Sequence, residues 1–444
     1  MDGIADKSLV REQTKIVGYS TRGWWAVGIL TCIGILSYVD KNTIALFVGL
    51  ISHDLAMTPA EATLAIGTAF AVANLLASVP AGILADRFSR KLVIFGAVVL
   101  WSIFTIFCGR VSGFGELLAF RAGVGFAEGL LPPACYSMIR DLVAPTKRAR
   151  ALALFSMSSL VGTGLAFSMG GLLLHAIAKA SMPSALHAAH PWGIVLGIAG
   201  LAGIPLALLV FTFKEPKRDA SGTNLQVPTL SATLRAMWEQ RAVCVPLAVF
   251  SVADAMLTMS VNLWNPPLID AKFGLKPAEI GVPLGILIAV TGIIGLVASG
   301  TAIDKRDAVN GRGAQVVAVV VAAILLVAAI FHPLSSSVGM FWFWQGLMTL
   351  VSTTYLLITS SLVTRVLPPS MTGRGISLFL LIQGVLGFGL APTLTALVIE
   401  FLAGRVTEPI SIAMSAMHGL LGLIALLAAI RLFYQKIELP KTTD

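Results

Sequence analysis

Apolar runs of twenty or more residues recur along the whole chain, each long enough as a helix to cross roughly 30 Å of hydrocarbon. Their spacing predicts twelve membrane-spanning helices, near 24–50, 60–85, 91–109, 115–142, 148–176, 193–213, 242–269, 278–303, 314–332, 338–366, 374–402 and 411–434. The longest polar interval inside the chain, Lys214 to Gln240, contains KEPKRDASGTN. It separates a first six-helix bundle (1–213) from a second (241–444), with 214–240 as a cytoplasmic linker. The expected fold class is an all-α polytopic membrane protein. The first 22 residues are polar, and Trp24 to Leu50 is too long for the core of a cleavable signal and lacks a small-residue cleavage site.

Composition strengthens that picture. Of the 444 residues, 57% are hydrophobic and 12% charged, whereas soluble domains carry about 25% charged residues. The 42 glycines suit helices that pack backbone to backbone in lipid. With both termini in the cytoplasm, the inner loops and tails hold 24 of the 31 basic residues. The outer loops hold five: Arg110, Lys179, Lys272, Lys276 and Arg405. Basic residues gather on the inner side of membrane proteins, which fixes this orientation. The net charge of +9 therefore reports topology, and no nucleic-acid partner is expected. Cys32, Cys108, Cys135 and Cys244 fall in apolar segments without paired spacing, so buried free thiols are expected and no metal or cofactor.

The halves repeat each other. Gly82-Ile-Leu-Ala-Asp86-Arg87 returns as Gly300-Thr-Ala-Ile-Asp304-Lys305, and Pro145…Arg150…Leu154-Phe155 as Pro369…Arg374…Leu378-Phe379. Gly162-Thr-Gly164-Leu-Ala166 returns as Gly387-Phe-Gly389-Leu-Ala391. Three matches in one order indicate parallel repeats with substrate bound between them.

The remaining basic residues, Lys41 and Arg121, lie inside helices, beside Asp40 and Glu128. A charge at the bilayer centre costs at least about 2.5–3.5 kcal/mol, so such residues are kept for a use. Arg121 and Glu128 are seven apart and face one way, roughly 10 Å apart along helix four. Helical rise places Asp40 and Arg121 both in the outer half of the membrane, where contact between them is expected, with Glu128 near the midplane. A carboxylate in such a cavity is poised between desolvation, which favours its neutral form, and a nearby cation, which favours the charged one. Moving Arg121 or Lys41 relative to it would load and unload a proton. The bland alternative is a static ion pair that fixes helix packing.

Gly82-Ile-Leu-Ala-Asp86-Arg87-Phe-Ser-Arg90-Lys91 lies between helices two and three. Gly82, Asp86, Arg87, Arg90 and Lys91, with Asp304, Lys305 and Arg374 of the second half, are expected to form a latch on the inner side. An aspartate there would meet a helix N-terminus near Arg374; otherwise this is an ordinary basic loop. Weaker candidates for lining the cavity are Asp254, Tyr355, Gln345 and Gln383, for which interhelical packing is an equal reading. Asp254 would face the cavity or support a helix break at Asn265-Pro266-Pro267. His175, His187 and His190 read as exposed loop residues and His418 as a hydrogen-bonded packing residue. No G-x-S-x-G, H-E-x-x-H or G-x-x-x-x-G-K-[ST] occurs, so no enzymatic activity or ATP-driven pumping is expected.

The Gly82–Lys91 segment and Arg121-Ala-Gly-Val-Gly125-Phe-Ala-Glu128-Gly129 resemble the major facilitator superfamily across nearly the whole chain. Within it, the resemblance is to spinster-like transporters, particularly bacterial ones. It rests on Tyr38-Val-Asp40-Lys41, Leu100-Trp101-Ser102…Thr105…Cys108-Gly109, Val124 to Gly129, and Trp264 ahead of Phe273-Gly-Leu. Relatives usually carry arginine where Lys41 stands; lysine keeps the charge and loses the planar fork. The antiporter signature of helix five usually includes a Gly-Pro step, absent from Gly164–Gly171. The resemblance implies proton-dependent alternating access with Asp40 and Glu128 titrating and Arg121 as their gate. Animal spinsters are associated with lysophospholipids and sphingosine phosphate, so it also implies a small amphipathic or lipid-like substrate, its anionic head group meeting Lys41 and Arg121. The reading is a monomeric, proton-coupled carrier in the bacterial inner membrane, with protons and membrane lipids as its other partners. The rivals are an organic-anion/proton symporter of the same superfamily, a non-transporting membrane sensor and a passive lipid translocase.

Overall fold

A computed structural model describes residues 5–179, 190–216, 229–435 and 437, and among them every regular element is helical. Twelve passages run back and forth, and we number them one to twelve. Ten stretches among the described residues are long and apolar enough to cross a membrane. The other two passages are interrupted. Passage four divides into Phe114–Gly129 and Leu131–Leu142 ahead of Pro132-Pro133, and passage eleven into Pro369–Gln383, the π-helical Gly384–Leu390 and Ala391–Leu402. Passage two is broken similarly, as Pro59–Thr63, π-helical Leu64–Ala69 and Phe70–Arg87.

Local chemistry sets these ends. Proline opens the first turn at Pro59, Pro191, Pro277, Pro369 and Pro409, where its missing N–H costs nothing. Thr58 caps its helix from both directions with Glu61.

The membrane span of helix one, Gly23–Leu46, starts where expected, and the helix itself runs back to Ala5. Two expectations are revised. Passage seven, Arg241–Phe273, runs unbroken through Pro266-Pro267. Neighbouring helices hold it there, with Trp264 Nε1 donating to the Pro392 carbonyl at 3.1 Å and Asn265 Nδ2 to Gln345 Oε1 at 2.8 Å. The interval between passages six and seven contains a helix, Leu230–Glu239, started by Thr229 accepting from Ala232 N–H.

Cys32 is exposed, while Cys108, Cys135 and Cys244 are buried. Large apolar side chains such as Leu76, Leu172, Val297 and Leu427 are exposed in mid-passage, as lipid contact requires.

Two apolar clusters form the interior. One, around Ile33, Phe70, Trp101 and Trp192, also takes in Leu263, Trp264, Ile280, Phe341 and Met414 from the outer parts of the second half. The other, around Leu247, Phe250, Leu325 and Leu362, lies wholly in the second half. The outer ends of the halves thus share a core. Passages five and eight touch backbone to backbone, where a Cβ on Gly285 would come within 2.2 Å of the Gly164 carbonyl and one on Gly171 within 2.9 Å of Gly281 Cα. Passage two joins passage eleven through Ala60 N–H to Glu400 Oε1 at 2.8 Å and Thr68 Oγ1 to the Gly389 carbonyl at 2.5 Å.

Candidate functional site

Passage four carries Arg121 and Glu128 into the interior because its glycines let it lie directly on passage two. A Cβ on Gly125 would stand 2.2 Å from the Phe70 carbonyl and one on Gly129 2.6 Å from that of Asn74. Asn74 Nδ2 adds a hydrogen bond to the Gly125 carbonyl at 3.1 Å. Arg121, Glu128 and Asp40 are all buried, at 3%, 5% and 1% exposure. Their partners differ from the expected pairing. Among the described residues no ion pair joins Asp40 to Arg121. The Arg121 guanidinium turns to the Ile66 carbonyl, 3.2 Å from its terminal nitrogen, and lies 4.9 Å from the Phe70 ring centroid. It remains within electrostatic reach of Asp40, Lys41 and Glu128.

Each carboxylate is held by one hydroxyl. Thr105 of passage three donates to Asp40 Oδ2 at 2.7 Å, and Ser37 to Glu128 Oε2 at 3.1 Å. Asp40 Oδ1 and Glu128 Oε1 are buried without a hydrogen-bond partner among the described residues. Ser37 was missed in the sequence, and Thr105 was named there only as part of the family resemblance, with no role; a hydroxyl on a neighbouring helix has no spacing to betray its partner. Lys41 Nζ lies over the rings of Tyr38 and Phe70, at 5.5 and 5.1 Å.

Lys41 and Arg121 line a cleft of about 400 Å³, part of it open to solvent. Asn42, Ile66 and Phe70 are among the other residues of its first-half wall, with Met259, Asn262, Leu263 and Pro392 opposite. Asp40 and Glu128 are buried and are not among its lining residues. The cleft therefore presents two cations and an apolar face from each half.

The second-half candidates divide. Gln345 is bound to Asn265 and to Thr349 Oγ1 at 3.2 Å, so it ties passages seven and ten together and does not line the cleft. Gln383 is buried with neither amide atom partnered. Asp254 is fully buried and neither carboxylate oxygen has a hydrogen-bond partner; Tyr355, partly buried, is within its electrostatic reach. His418 bonds Ser260 Oγ at 2.9 Å, the packing role expected of it. His332, unforeseen, is buried against Phe341 with ring centroids 4.3 Å apart.

The inner loop is an internal brace in this conformation. Arg90 is 1% exposed and bonds Asp141 at 2.5 Å, Glu215 at 3.2 Å and the Pro216 carbonyl at 2.9 Å. Lys91 Nζ donates to the Phe213 carbonyl at 2.6 Å. Burial would raise the Glu215 carboxyl, but donors from Ser89 and from the Arg90 backbone and guanidinium outweigh it and hold it below its ordinary 4.5. Gly82 is partly buried; Arg87, Asp304 and Lys305 are exposed. Arg374 is partly buried, with one guanidinium nitrogen unpartnered among the described residues. The Asp86 side chain and His187 lie outside the described residues.

On the outer side, His190 Nδ1 and Trp192 Nε1 reach Asp54 Oδ2 at 3.0 and 2.9 Å, so His190 is engaged, whereas His175 is exposed. Burial opposes the charge on Asp54, but the donors His53 and Trp192 and the nearby His190 hold its carboxyl below the ordinary 3.8.

The Major Facilitator Superfamily model matches residues 30–392, from within passage one to the start of the last segment of passage eleven. The chain belongs to the Major Facilitator Superfamily. Within this superfamily it is 26% identical over 303 residues to protein spinster of Drosophila melanogaster, covering 66% of this chain and 47% of that protein. The chain thus spans about half the length of that relative. It is 22% identical over 366 residues to an MFS-type efflux pump of Mycolicibacterium smegmatis, covering 82% of each. Its fold is that of a bacterial homolog of the human lysosomal transporter Spinster, solved in an inward-facing, unoccupied conformation, with a TM-score of 0.75 over 93% of this chain and 95% of the other at 22% identity. The superfamily's R-x-x-x-G-x-x-x-G spelling is explained here by the contact of Gly125 and Gly129 with passage two.

Proposed function

We propose that this spinster-like protein is a secondary transporter that couples protons to the movement of a small amphipathic or lipid-like molecule by alternating access. The bundles 1–213 and 241–444 rock about the linker 214–240, as a monomer in the bacterial inner membrane with both termini cytoplasmic. The observation that carries this reading is the burial of Asp40 and Glu128 within electrostatic reach of Arg121, which with Lys41 lines a cleft shared with the second half.

Each of those carboxylates has one oxygen on a single hydroxyl and one oxygen unpartnered. An unpaired buried charge is costly, so a proton held there would leave when the guanidinium of Arg121 swings over. Substrate arriving in the cleft competes for that same guanidinium. Its anionic head group pairs with Lys41 and Arg121, and its tail lies along Met259, Leu263 and Phe70. Asp254, Tyr355 and Gln383 act on the second-half side. The Gly82–Lys91 loop, with Asp304, Lys305 and Arg374, latches the inner face once the outer face opens.

Reconstitution tests the reading. Purified protein in sealed liposomes should accumulate or expel a lysophospholipid probe when a pH gradient is imposed, and the gradient should dissipate with flux. Flux that ignores the gradient overturns proton coupling in favour of a passive translocase; saturable binding without flux indicates a sensor. A small organic anion transported in place of the lysolipid would indicate the symporter, which the two cations of the cleft also suit.

A further inference from the structure

The helix Leu230–Glu239 carries an apolar stripe that no part of the described protein covers. Leu230, Leu234 and Trp238 are 56%, 49% and 67% exposed. At about 100° per residue the helix divides into three sectors. Thr233, Ala236 and Met237 share the first, where Thr233 is buried and the other two pack on the apolar cluster of the second half. The stripe occupies a second sector about 110° away, and Ser231, Arg235 and Glu239 a third about 100° further on. The side chains of Arg235 and Glu239 are 84% and 69% exposed. One face thus meets protein, one is apolar and bare, and one is charged.

Position decides what fills the bare face. The helix ends two residues before Arg241, where passage seven enters the membrane, so it lies at the level where lipid begins. The Arg241 guanidinium sits 5.9 Å from the Trp238 ring centroid and donates to the Trp238 carbonyl at 3.3 Å. An indole seated at headgroup depth with a cation fixed beside it is the arrangement that interfacial anchors use. We propose that Leu230–Glu239 is an interfacial anchor, embedding Leu230, Leu234 and Trp238 in the leaflet on the basic side of the membrane, with Arg241 on an anionic phospholipid headgroup. The anchor does not depend on what the protein transports. Because its protein-facing sector abuts the inner segment of passage eleven, lipid contact would also steady that segment as the inner side opens.

Spin labels report this directly. In the full chain with exposed Cys32 replaced by serine, single labels are placed by Leu234→Cys, Trp238→Cys and Arg235→Cys. The protein is set in nanodiscs of phosphatidylcholine, alone or mixed with phosphatidylglycerol. Collision with oxygen, which concentrates among acyl chains, is compared with collision with a water-soluble nickel chelate. The ratio should be several-fold higher at 234 and 238 than at 235, and should rise further at 234 with phosphatidylglycerol. Water-like ratios at 234 and 238 overturn the anchor. Shielding from both reagents together with a doubled particle mass assigns the stripe to a second copy and overturns it equally. A lipid-like ratio indifferent to phosphatidylglycerol overturns the headgroup contact at Arg241.

Discussion

Thr68 donates its hydroxyl to the Gly389 carbonyl at 2.5 Å, and the two residues lie in the two π-helical turns among the described residues. A π turn shifts the backbone ladder by one residue, and such turns are frequent at functional sites. Here they face each other across the outer halves of passages two and eleven. Thr68→Val should weaken the outer closure by about 0.5–1.5 kcal/mol, the net worth of a hydrogen bond. Distances between spin labels on the outer ends of passages two and eleven should shift toward longer values, with Thr68→Ser restoring them. An unchanged distribution would show that the shared apolar core alone closes the outside.

Glu128→Gln should leave the fold intact and abolish the pH dependence of opening. Gln keeps the shape and the acceptor for Ser37 but holds no exchangeable charge. Distances across the inner and outer ends, measured at two pH values, check this; a mutant as responsive as the parent removes Glu128 from the coupling mechanism. Thr105→Val should act more quietly, stripping Asp40 of its one donor at a cost of about 1–3 kcal/mol, visible as a lower melting temperature.

Asp254 separates function from stability. A buried carboxyl without partners contributes nothing to packing that an apolar group of similar volume could not. Asp254→Leu should therefore melt at the same or a higher temperature, relieved of a burial cost of about 1–3 kcal/mol, while substrate flux falls to background. Flux at the parental level would reduce Asp254 to a tolerated packing defect.

The Arg90 brace predicts the acid behaviour of the linker's attachment. Glu215 titrates below its ordinary 4.5 in the folded protein. A depressed folded value means the stabilisation is complete above 4.5 and is lost as pH falls from there through the folded value. The melting temperature should drop over that window, and Glu215→Gln should flatten the drop. Arg90→Ala removes the guanidinium from Asp141, which keeps Arg140, and from Glu215, which keeps Ser89 and the backbone N–H of residue 90, so it should cost about 1.5–3 kcal/mol; thermal or denaturant unfolding of the variant measures it.

Much of this was legible before any coordinates. Twelve passages, their order and the intramembrane charges Asp40, Lys41, Arg121 and Glu128 follow from where charge interrupts apolar runs, because lipid enforces hydrophobic length and penalises charge residue by residue. The π turns were invisible, since a one-residue shift in the ladder leaves the apolar pattern untouched. So was the helix at Leu230–Glu239, because a three-faced helix of ten residues reads as a polar interval with scattered apolar residues.

By itself the sequence determined the membrane architecture, its repeat and the identity of the buried charges, since those are properties of single residues and local spacing against a fixed solvent. Only the tertiary structure decided partners: Arg121 on Ile66 rather than Asp40, Arg90 on Asp141 and Glu215, Gln345 on Asn265. A hydrogen bond is settled by ångström-scale approach between helices far apart in the chain, and that approach depends on every glycine contact and kink along the way.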